Sequence, residues 1–397
     1  MKLVAPLLAI AAATLLISTD LKPAQPSGLV VHEWGTFTSV AGEDGSAIDW
    51  DALGCKNDLP QFVNDDGYRG FKWRLRGTVR METPVLYFYS SQPIDAHVKV
   101  SFPQGLITEW YPKADYRVYR NAGGSLRPLP SNLNGFDISM RTLTGSIEWT
   151  NIKVQPDASL DLPVEKDGSH YYAARQTDAA PLTVGGQNEK FLFYRGVARF
   201  PVPLSVRIAA DNKVLVNNRA ADAVPAAILF ENRGGHIGYR SVSPIDSVET
   251  IDRPTLDGSL TQLRHELETI LVSQGLFQKE AHAMVETWKD SWFEAGTRLI
   301  YIVPRASIAS ILPLEIEPAA ETERVFVGRI ELITPEILET AEAAIVNSDA
   351  APLRPYARFR EPILNRVQAM KPSLTTEIER LTETIDLKLR SGHCETQ

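Results

Sequence analysis

The side chains best suited to do chemistry in this sequence are histidines and carboxylates that lie beside aromatic rings. The segment 31–37, Val-His-Glu-Trp-Gly-Thr-Phe, places an imidazole, a carboxylate and an indole at consecutive positions. In an extended strand, His32 and Trp34 share one face and Glu33 lies on the other. His32 and Trp34 could line a sugar or peptide cleft, which Glu33 joins only where a bulge redirects a side chain. The alternative is a hydrogen-bonded histidine at the edge of a β core.

Two further segments place carboxylates near aromatic rings. Glu82 lies in the segment 80–84, Arg-Met-Glu-Thr-Pro, and Glu109 precedes a Trp-Tyr pair. Two carboxylates about 5 to 10 Å apart can hydrolyse a glycosidic bond. The candidate catalytic residues are therefore His32, Glu33, Glu82 and Glu109, and the candidate ligand-binding residues are Trp34, Trp110 and Tyr111. All of them also fit purely structural roles.

His282, Glu286 and Asp290 follow one another at intervals of four residues on a predicted helix. This spacing aligns an imidazole and two carboxylates, as a metal site would require. The apolar residues of the same helix centre near Ala281, so the three polar side chains point about 100 to 180° away from the packed face. We therefore expect a solvated helix face, unless another element covers it, and we predict no metal or other cofactor.

The composition narrows the class of protein. The chain has 397 residues, of which 44% are hydrophobic and 23% charged, and its formal net charge is −8. An acidic chain argues against nucleic acid as a partner, because phosphates require clustered cations. The nucleophile elbow G-x-S-x-G, the phosphate loop and the dinucleotide motif G-x-G-x-x-G are all absent from the sequence. The common nucleotide-dependent enzyme classes are thereby excluded.

Residues 29–250 show the pattern of a β-rich domain. Short runs rich in Val, Ile, Tyr, Phe and Thr alternate with Pro and Gly, which favours strands. The predicted strands cover 79–89, 97–102, 106–111, 146–154, 190–194, 203–209, 213–217 and 227–231. Tight turns at 211–212 and 233–235 indicate hairpins. We predict an antiparallel β-sandwich-like N-terminal domain.

Residues 251–397 predict a helix-rich α+β domain, which makes the fold class α+β. Ser259 is a capping residue for a helix that Gly275 ends, and a second helix follows over 277–295. Strands at 298–303 and 324–333 precede Thr334, which caps a helix over 336–346 with a proline at its first position. Two more helices are predicted at 362–370 and 374–389.

Residues 1–28 have the anatomy of a secretory signal peptide or a signal anchor. Lys2 precedes an apolar run from Leu3 to Ile17, which is shorter than the roughly 20 residues of a comfortable membrane span. Signal peptidase requires small residues at −1 and −3, but the candidate positions after Ser18, Thr19 and Ala24 place Leu16, Ile17 and Lys22 at −3. Cleavage and retention through residues 3–19 therefore both remain open. Cys55 and Cys394 could pair in an oxidising compartment or stay as free thiols.

Five segments together resemble a group of exported bacterial proteins whose activity is not known. These segments are His-Glu-Trp-Gly-Thr-Phe at 32–37 and the residues 80–84, 190–196, 287–294 and 324–329. The resemblance extends over most of the chain after the signal segment. It implies a bacterial, exported protein and supplies no activity, cofactor or catalytic residue.

The hypothesis that fits these features best is an exported binding or scaffold protein that recognises an envelope component or a protein partner. One alternative is a carboxylate-dependent hydrolase of cell-envelope or other polysaccharide. Another is an anchored assembly factor for a membrane complex, which requires that the N-terminal segment is retained. The predicted location is periplasmic or extracellular, with inner-membrane anchoring if the signal stays uncleaved.

Export predicts that the body of the protein lies outside the cytoplasm. N-terminal sequencing combined with membrane fractionation tests this expectation. A cleaved protein begins near residues 19–25 and is recovered in the soluble periplasmic fraction, whereas an anchored protein keeps its first residues and sediments with membranes. Recovery of the full-length chain in the cytoplasm would contradict export.

Overall fold

The computed structural model describes residues 28–53, 59–65, 76–122, 125–129, 140–166 and 168–390. These residues form β-sheets with helices, so the predicted α+β class is confirmed. Cys55, Cys394 and the signal segment up to residue 27 lie outside the described residues. Across the described ranges, no helix is both long and apolar enough to cross a membrane.

The strands and helices are numbered in chain order. The strands before residue 190 are β1 (Val30–Val40), β2 (Asn64–Asp65), β3 (Val79–Tyr89), β4 (Ile94–Pro103), β5 (Gly105–Tyr111), β6 (Asp115–Ala122), β7 (Ser125–Pro128), β8 (Leu143–Val154), β9 (Leu182–Val184) and β10 (Gln187–Glu189). The next strands are β11 (Leu192–Ala198), β12 (Leu204–Ile208), β13 (Val214–Asn218), β14 (Ala227–Arg233), β15 (His236–Val242) and β16 (Val248–Ile251).

Helices dominate the remainder of the chain. The helices are α1 (Leu260–Ser273), α2 (Gln278–Trp292), α3 (Arg305–Ile311), α4 (Pro335–Val346), α5 (Arg360–Met370) and α6 (Thr375–Arg390). Three strands lie among them, β17 (Gly296–Ile302), β18 (Leu314–Glu317) and β19 (Glu321–Leu332). A kinked 3₁₀ segment, Ala351–Phe359, leads from α4 into α5.

A nine-stranded sheet forms the centre of the fold, with the strand order β15-β14-β17-β19-β1-β3-β11-β5-β2. Strand β1 pairs antiparallel with β3 and parallel with β19, in a register that runs from Val30 opposite Glu321 to Val40 opposite Glu331. The sheet therefore contains strands from both sides of the domain boundary predicted at residue 250. The helix-rich half contributes two of its strands, β17 and β19.

Both faces of the central sheet are covered. One face, called the sandwich side, is covered by the seven-stranded sheet, which contains β4, β8 and β18, and by the three-stranded sheet β12-β13-β16. Phe88 shares this core with Trp149 of the seven-stranded sheet. On the helix side, Tyr87 packs with Trp288 of α2, and a further core joins the sheet to α4, α5 and α6. Because other layers cover both faces of the central sheet, neighbouring rings on opposite faces, such as Tyr87 and Phe88, are both fully buried.

Local sequence signals account for several element boundaries. The Ser259 side chain accepts a hydrogen bond from the backbone of Gln262, and Thr334 caps α4 in the same way through the amide of Ile337. Gly234 and Gly235 have φ of +60° and +86°, which is the left-handed geometry that a two-residue hairpin turn requires. The predicted caps and this predicted hairpin are confirmed.

A bulge between β1 and β3 decides which side chains of β3 face the helices. Gly35 of β1 lies opposite two residues of β3, Thr83 and Pro84, and Thr83 has a φ of +40°. Beyond the bulge the alternation of β3 is inverted, because Met81 faces the sandwich core whereas Val85 faces the helix-side core. The carboxylate at position 82 is therefore directed to the helix side.

Tight packing over Gly328 gives a direct test of the central strand pairing. An added Cβ at Gly328 of β19 would overlap the ring of Tyr301 on the neighbouring strand β17. We expect Gly328→Ala to lower the free energy of unfolding by about 1–3 kcal/mol, because overpacking forces the ring to move. Urea denaturation measures the change. Gly168→Ala is the control, since nothing lies within 4 Å of its added Cβ, and equal stability of both variants would contradict this packing.

Candidate functional site

The four candidate catalytic residues are all buried, and they do not share an open cleft. His32 keeps 5% of its surface exposed, Glu109 keeps 3%, and Glu33 and Glu82 keep none. His32, Glu82 and Glu109 lie on the helix side of the central sheet, whereas Glu33 lies on the sandwich side. Each side chain belongs to a hydrogen-bond or ion-pair network described below.

His32 forms a buried dyad with Glu280 near the start of α2. Its Nδ1 atom lies 2.8 Å from Oε2 of Glu280, which has no exposed surface. The Glu280 carboxylate also accepts hydrogen bonds of 2.8 Å from the Tyr89 hydroxyl and from the backbone amide of Phe277. The ring of Phe277 covers the imidazole at a centroid distance of 4.4 Å. The dyad therefore fixes the imidazole ring against α2, and the carboxylate favours a proton on Nδ1.

Glu33, on the opposite face of β1, forms an ion pair with an arginine and accepts a hydrogen bond from a tyrosine. Arg324 of β19, its neighbour in the parallel pairing, donates from Nε to Glu33 Oε2 at 2.6 Å. The hydroxyl of Tyr194 donates to the other carboxylate oxygen at 2.5 Å. Burial raises the pKa of Tyr194 well above its ordinary value, and the Glu33 carboxylate raises it further, so this hydroxyl stays protonated and remains a donor. His32 and Glu33 therefore cannot act together.

Glu82 lies among arginines on the helix side. Arg358 of the 3₁₀ segment donates to Glu82 Oε1 at 2.6 Å, Arg80 lies 3.0 Å from the same oxygen, and the Thr38 hydroxyl donates to Oε2 at 3.2 Å. Burial alone would raise the pKa of Glu82, but the arginines outweigh it and hold the pKa below its ordinary value. This carboxylate is a fixed anion and cannot serve as a general acid.

Glu82, Arg195 and Glu109 form a row of buried charged side chains across neighbouring strands of the sheet. Glu109 lies directly opposite Arg195 in the pairing of β5 with β11, and Arg195 also lowers the pKa of Glu82 on the other side. Thr108 donates a short hydrogen bond to Glu109. Of the predicted carboxylates, the structure thus brings Glu82 and Glu109 into one row, with Arg195 between them.

The row continues into a larger helix-side charge network, defined here as Arg80, Glu82, Glu294, Arg298, Arg329, Glu331 and Arg358. Arg298 donates to Glu331 at 2.9 Å, and Arg329 donates to Glu294 at 2.5 Å and to the Ser291 hydroxyl at 2.8 Å. Sequence reasoning missed Arg298 and Arg329. The available signal was a charged residue in the middle of an otherwise apolar strand, as in Thr-Arg-Leu-Ile-Tyr-Ile at 297–302.

The candidate ligand-binding aromatics belong to the core. Trp34 has no exposed surface, Trp110 keeps 7% and Tyr111 keeps 3%. Trp110 packs on Tyr116 at a centroid distance of 5.2 Å, and Tyr111 packs on Phe62 at 4.9 Å. Burial together with the charge of Glu189 raises the pKa of Tyr111 to about 12. None of the three rings offers a stacking surface to a ligand.

The metal candidates on α2 separate into different ion pairs. His282 pairs with Glu268 at 2.8 Å, Glu286 pairs with Arg264 and Lys289, and Asp290 pairs with His170 at 3.1 Å. His282 and Asp290 are exposed, as the helical phase predicts. Over the described ranges, no group of three His, Cys, Asp or Glu side chains could hold a metal ion.

The described surface includes two open depressions with charged side chains in their walls. The first is a cleft of about 430 Å³ beside the start of α4, where Arg366 pairs with Glu43 and Glu336 pairs with Arg253. Burial raises the pKa of Glu336, but hydrogen bonds from Arg253 and Thr334 outweigh this effect and hold the pKa at about 2. The charges of this cleft are therefore largely satisfied internally.

The second depression is a groove of about 520 Å³ between α3, β18 and the start of β19. Its walls are small or apolar, and its charged side chain is Arg324, the partner of Glu33. We call it the Arg324 groove and define it by Ala309, Leu314, Ile316, Ala319, Ala320 and Arg324. Arg324 links this groove to the His-Glu-Trp-Gly-Thr-Phe segment through its ion pair with Glu33.

Substitution of Glu82 tests the helix-side charge network. Glu82→Gln removes the buried carboxylate charge that Arg358 and Arg80 share, and we expect the free energy of unfolding to fall by about 3–5 kcal/mol. The matched control is Glu315→Gln, which removes an exposed pair with Lys99 and should change stability by no more than about 1 kcal/mol. Urea unfolding at pH 7 separates the two cases, and similar small losses would contradict a stabilising network.

The lowered pKa values also predict acid sensitivity. Glu82 and Glu294 have folded-state pKa values below the ordinary 4.5, so their stabilising contribution is present above that pH and is lost as the pH falls through the folded-state values. Unfolding free energy should therefore decrease from about pH 5 to pH 3, and the decrease should be smaller in Glu82→Gln. An equal decrease in both proteins would show that Glu82 does not contribute.

Comparison with known proteins identifies no family. No protein-family model matches the chain, and no curated protein matches it. Among solved structures, the mu-homology domain of yeast delta-COP-I is similar over 79% of this chain and 98% of its own length, with 10% sequence identity and a TM-score of 0.27. A TM-score this low shows no common fold, so the similarity supports no statement about function.

Proposed function

We propose that this protein is an exported binding or scaffold protein that recognises an envelope component or a protein partner. The observation that carries the proposal is the contrast between closed and open parts of the structure. Every candidate catalytic side chain is buried in an internal network, whereas the Arg324 groove is open and mainly apolar, and the side chain of Arg324, the partner of Glu33, is 14% exposed. Such a surface suits recognition of a ligand.

The hydrolase alternative gains no support from the carboxylates. A glycosidase needs one carboxyl group that can donate a proton and a second that can reach the sugar or a water molecule. Glu33 accepts hydrogen bonds on both oxygens, and arginines keep Glu82 ionised. Glu109 lies in the same buried row. All three carboxylates are buried, with at most 3% of the residue surface exposed.

The N-terminal segment and the charge of the chain support the cellular part of the proposal. The lysine and apolar run of residues 2–17 have the features of an export signal. A net charge of −8 makes nucleic acid an unsuitable partner. An envelope component or another exported protein is the partner class that fits both features.

Retention on envelope material tests the proposal. We expect the purified protein, immobilised on a column, to retain at least one component of a detergent-solubilised envelope extract. We also expect no release of reducing sugar from peptidoglycan or polysaccharide. Glu109→Gln and the surface control Glu315→Gln should behave alike in both assays. Sugar release that is lost only in Glu109→Gln would establish the hydrolase instead, and absence of any retained component would refute the binding role.

A further inference from the structure

The Arg324 groove lies where the two main sheets separate at the start of the central strands. Leu314 and Ile316 of β18 are half-buried and contact the sandwich core, whereas Glu315 and Glu317 alternate with them on the exposed side. Ala309 of α3 and Ala319 and Ala320 of the β18–β19 connection complete the walls. Small side chains leave the space of about 520 Å³ open.

Arg324 supplies a cationic group that is already oriented. Its side chain is 14% exposed, and the 2.6 Å bond from Nε to Glu33 fixes the plane of the guanidinium. The buried Nη2 atom has no hydrogen-bond partner among the described residues. Because Nε is held by Glu33 and Nη2 is buried, Nη1 is the nitrogen that remains to meet a second carboxylate, and the Glu33 bond already fixes its orientation.

Strand β18 supplies a backbone edge beside the same groove. It pairs with β4 on one side, and in the part of the chain that the structure describes its other side has no strand partner. An unpaired edge presents amide and carbonyl groups with which an extended peptide can form hydrogen bonds as a further strand. A strand edge beside a cationic group matches the chemistry of a peptide that ends there.

We propose that the Arg324 groove binds the C-terminal end of an extended peptide, an inference that rests on the proposed binding role. The terminal carboxylate binds the guanidinium of Arg324, the last side chains occupy the space between Ala309 and Ala320, and the peptide backbone pairs with β18. The small walls select small or branched apolar side chains at the last positions. The partner is thus an exported protein or peptide with a free C-terminus of this composition.

The acidic side chains next to the groove narrow the expected sequence of the bound peptide. Glu317 and Glu321 are exposed at the two ends of the connection between β18 and β19, and no ion pair is shown for either in the described structure. Two carboxylates at the rim disfavour an acidic peptide and favour a basic side chain upstream of the carboxylate. The probe peptides below therefore carry lysine before their apolar end.

The experiment measures fluorescence polarisation with the full-length protein and a pool of labelled hexapeptides. Each peptide has lysine at its third position from the end and Ala, Val, Leu or Ser at its last two positions. We expect saturable binding of peptides with a free carboxylate and at least about tenfold weaker binding of the same peptides as C-terminal amides, because charged hydrogen bonds are lost. Equal binding of acids and amides, or no binding by any peptide, would overturn the proposal.

Two variants locate the binding. Ala309→Phe fills the groove from an exposed position on α3 and should weaken peptide binding at least about tenfold, whereas Ser310→Phe points about 100° away on the same helix and should have no effect. Arg324→Gln should also abolish binding; if loss of the Glu33 pair prevents folding, Ala309→Phe decides alone. Unchanged binding by Ala309→Phe would place the peptide elsewhere and overturn the proposal.

Two other results of these binding experiments would contradict the peptide proposal. Displacement of the peptide by a long-chain fatty acid at equal affinity would show that the groove recognises a carboxylate on an alkyl chain and would overturn the peptide proposal. If no peptide binds while envelope retention persists and is insensitive to Ala309→Phe, this inference fails and the binding role stands. If envelope retention is absent as well, both fail.

Discussion

Pairing of buried charges is the constraint on which this structure depends. The central sheet is covered on both faces, so every charged side chain on its inner strands must meet an opposite charge before the layers close. Glu33 meets Arg324 on the sandwich side, and Glu82 meets Arg358 on the helix side. These pairs join segments that are far apart in the chain, which makes the order of the strands and the position of the 3₁₀ segment depend on one another.

Local sequence signals predicted individual helices and hairpins, but they could not predict which distant strands pair. Thr334 and Ser259 begin their helices as their capping chemistry predicts, and the hairpin at Gly234 has the expected turn. The parallel pair of β1 with β19 could not be found, because neither strand carries a local sign of a partner about 290 residues away. Residue 250 marks a change of pattern along the chain, yet strands from both sides of it share the central sheet.

The candidate site was predictable in part. Alternation along β1 correctly separated His32 from Glu33, but a regular strand at 79–89 places Met81 and Val85 on one face, and the bulge at Thr83 puts them on opposite faces. Position 82 therefore has surroundings that periodicity alone does not give. Glu280 and the buried arginines were missed because a carboxylate or guanidinium in an amphipathic segment is more often solvated than paired in a core.

The parallel pairing of β1 with β19 has a consequence for the order of events during synthesis. The first strand of the chain gains its second neighbour only when residues 321–331 have been made, and contacts of such sequence separation form slowly. Until then that edge of β1 has no partner strand, and unpaired strand edges pair readily with other chains. Chains truncated before β19 are therefore candidates for aggregation.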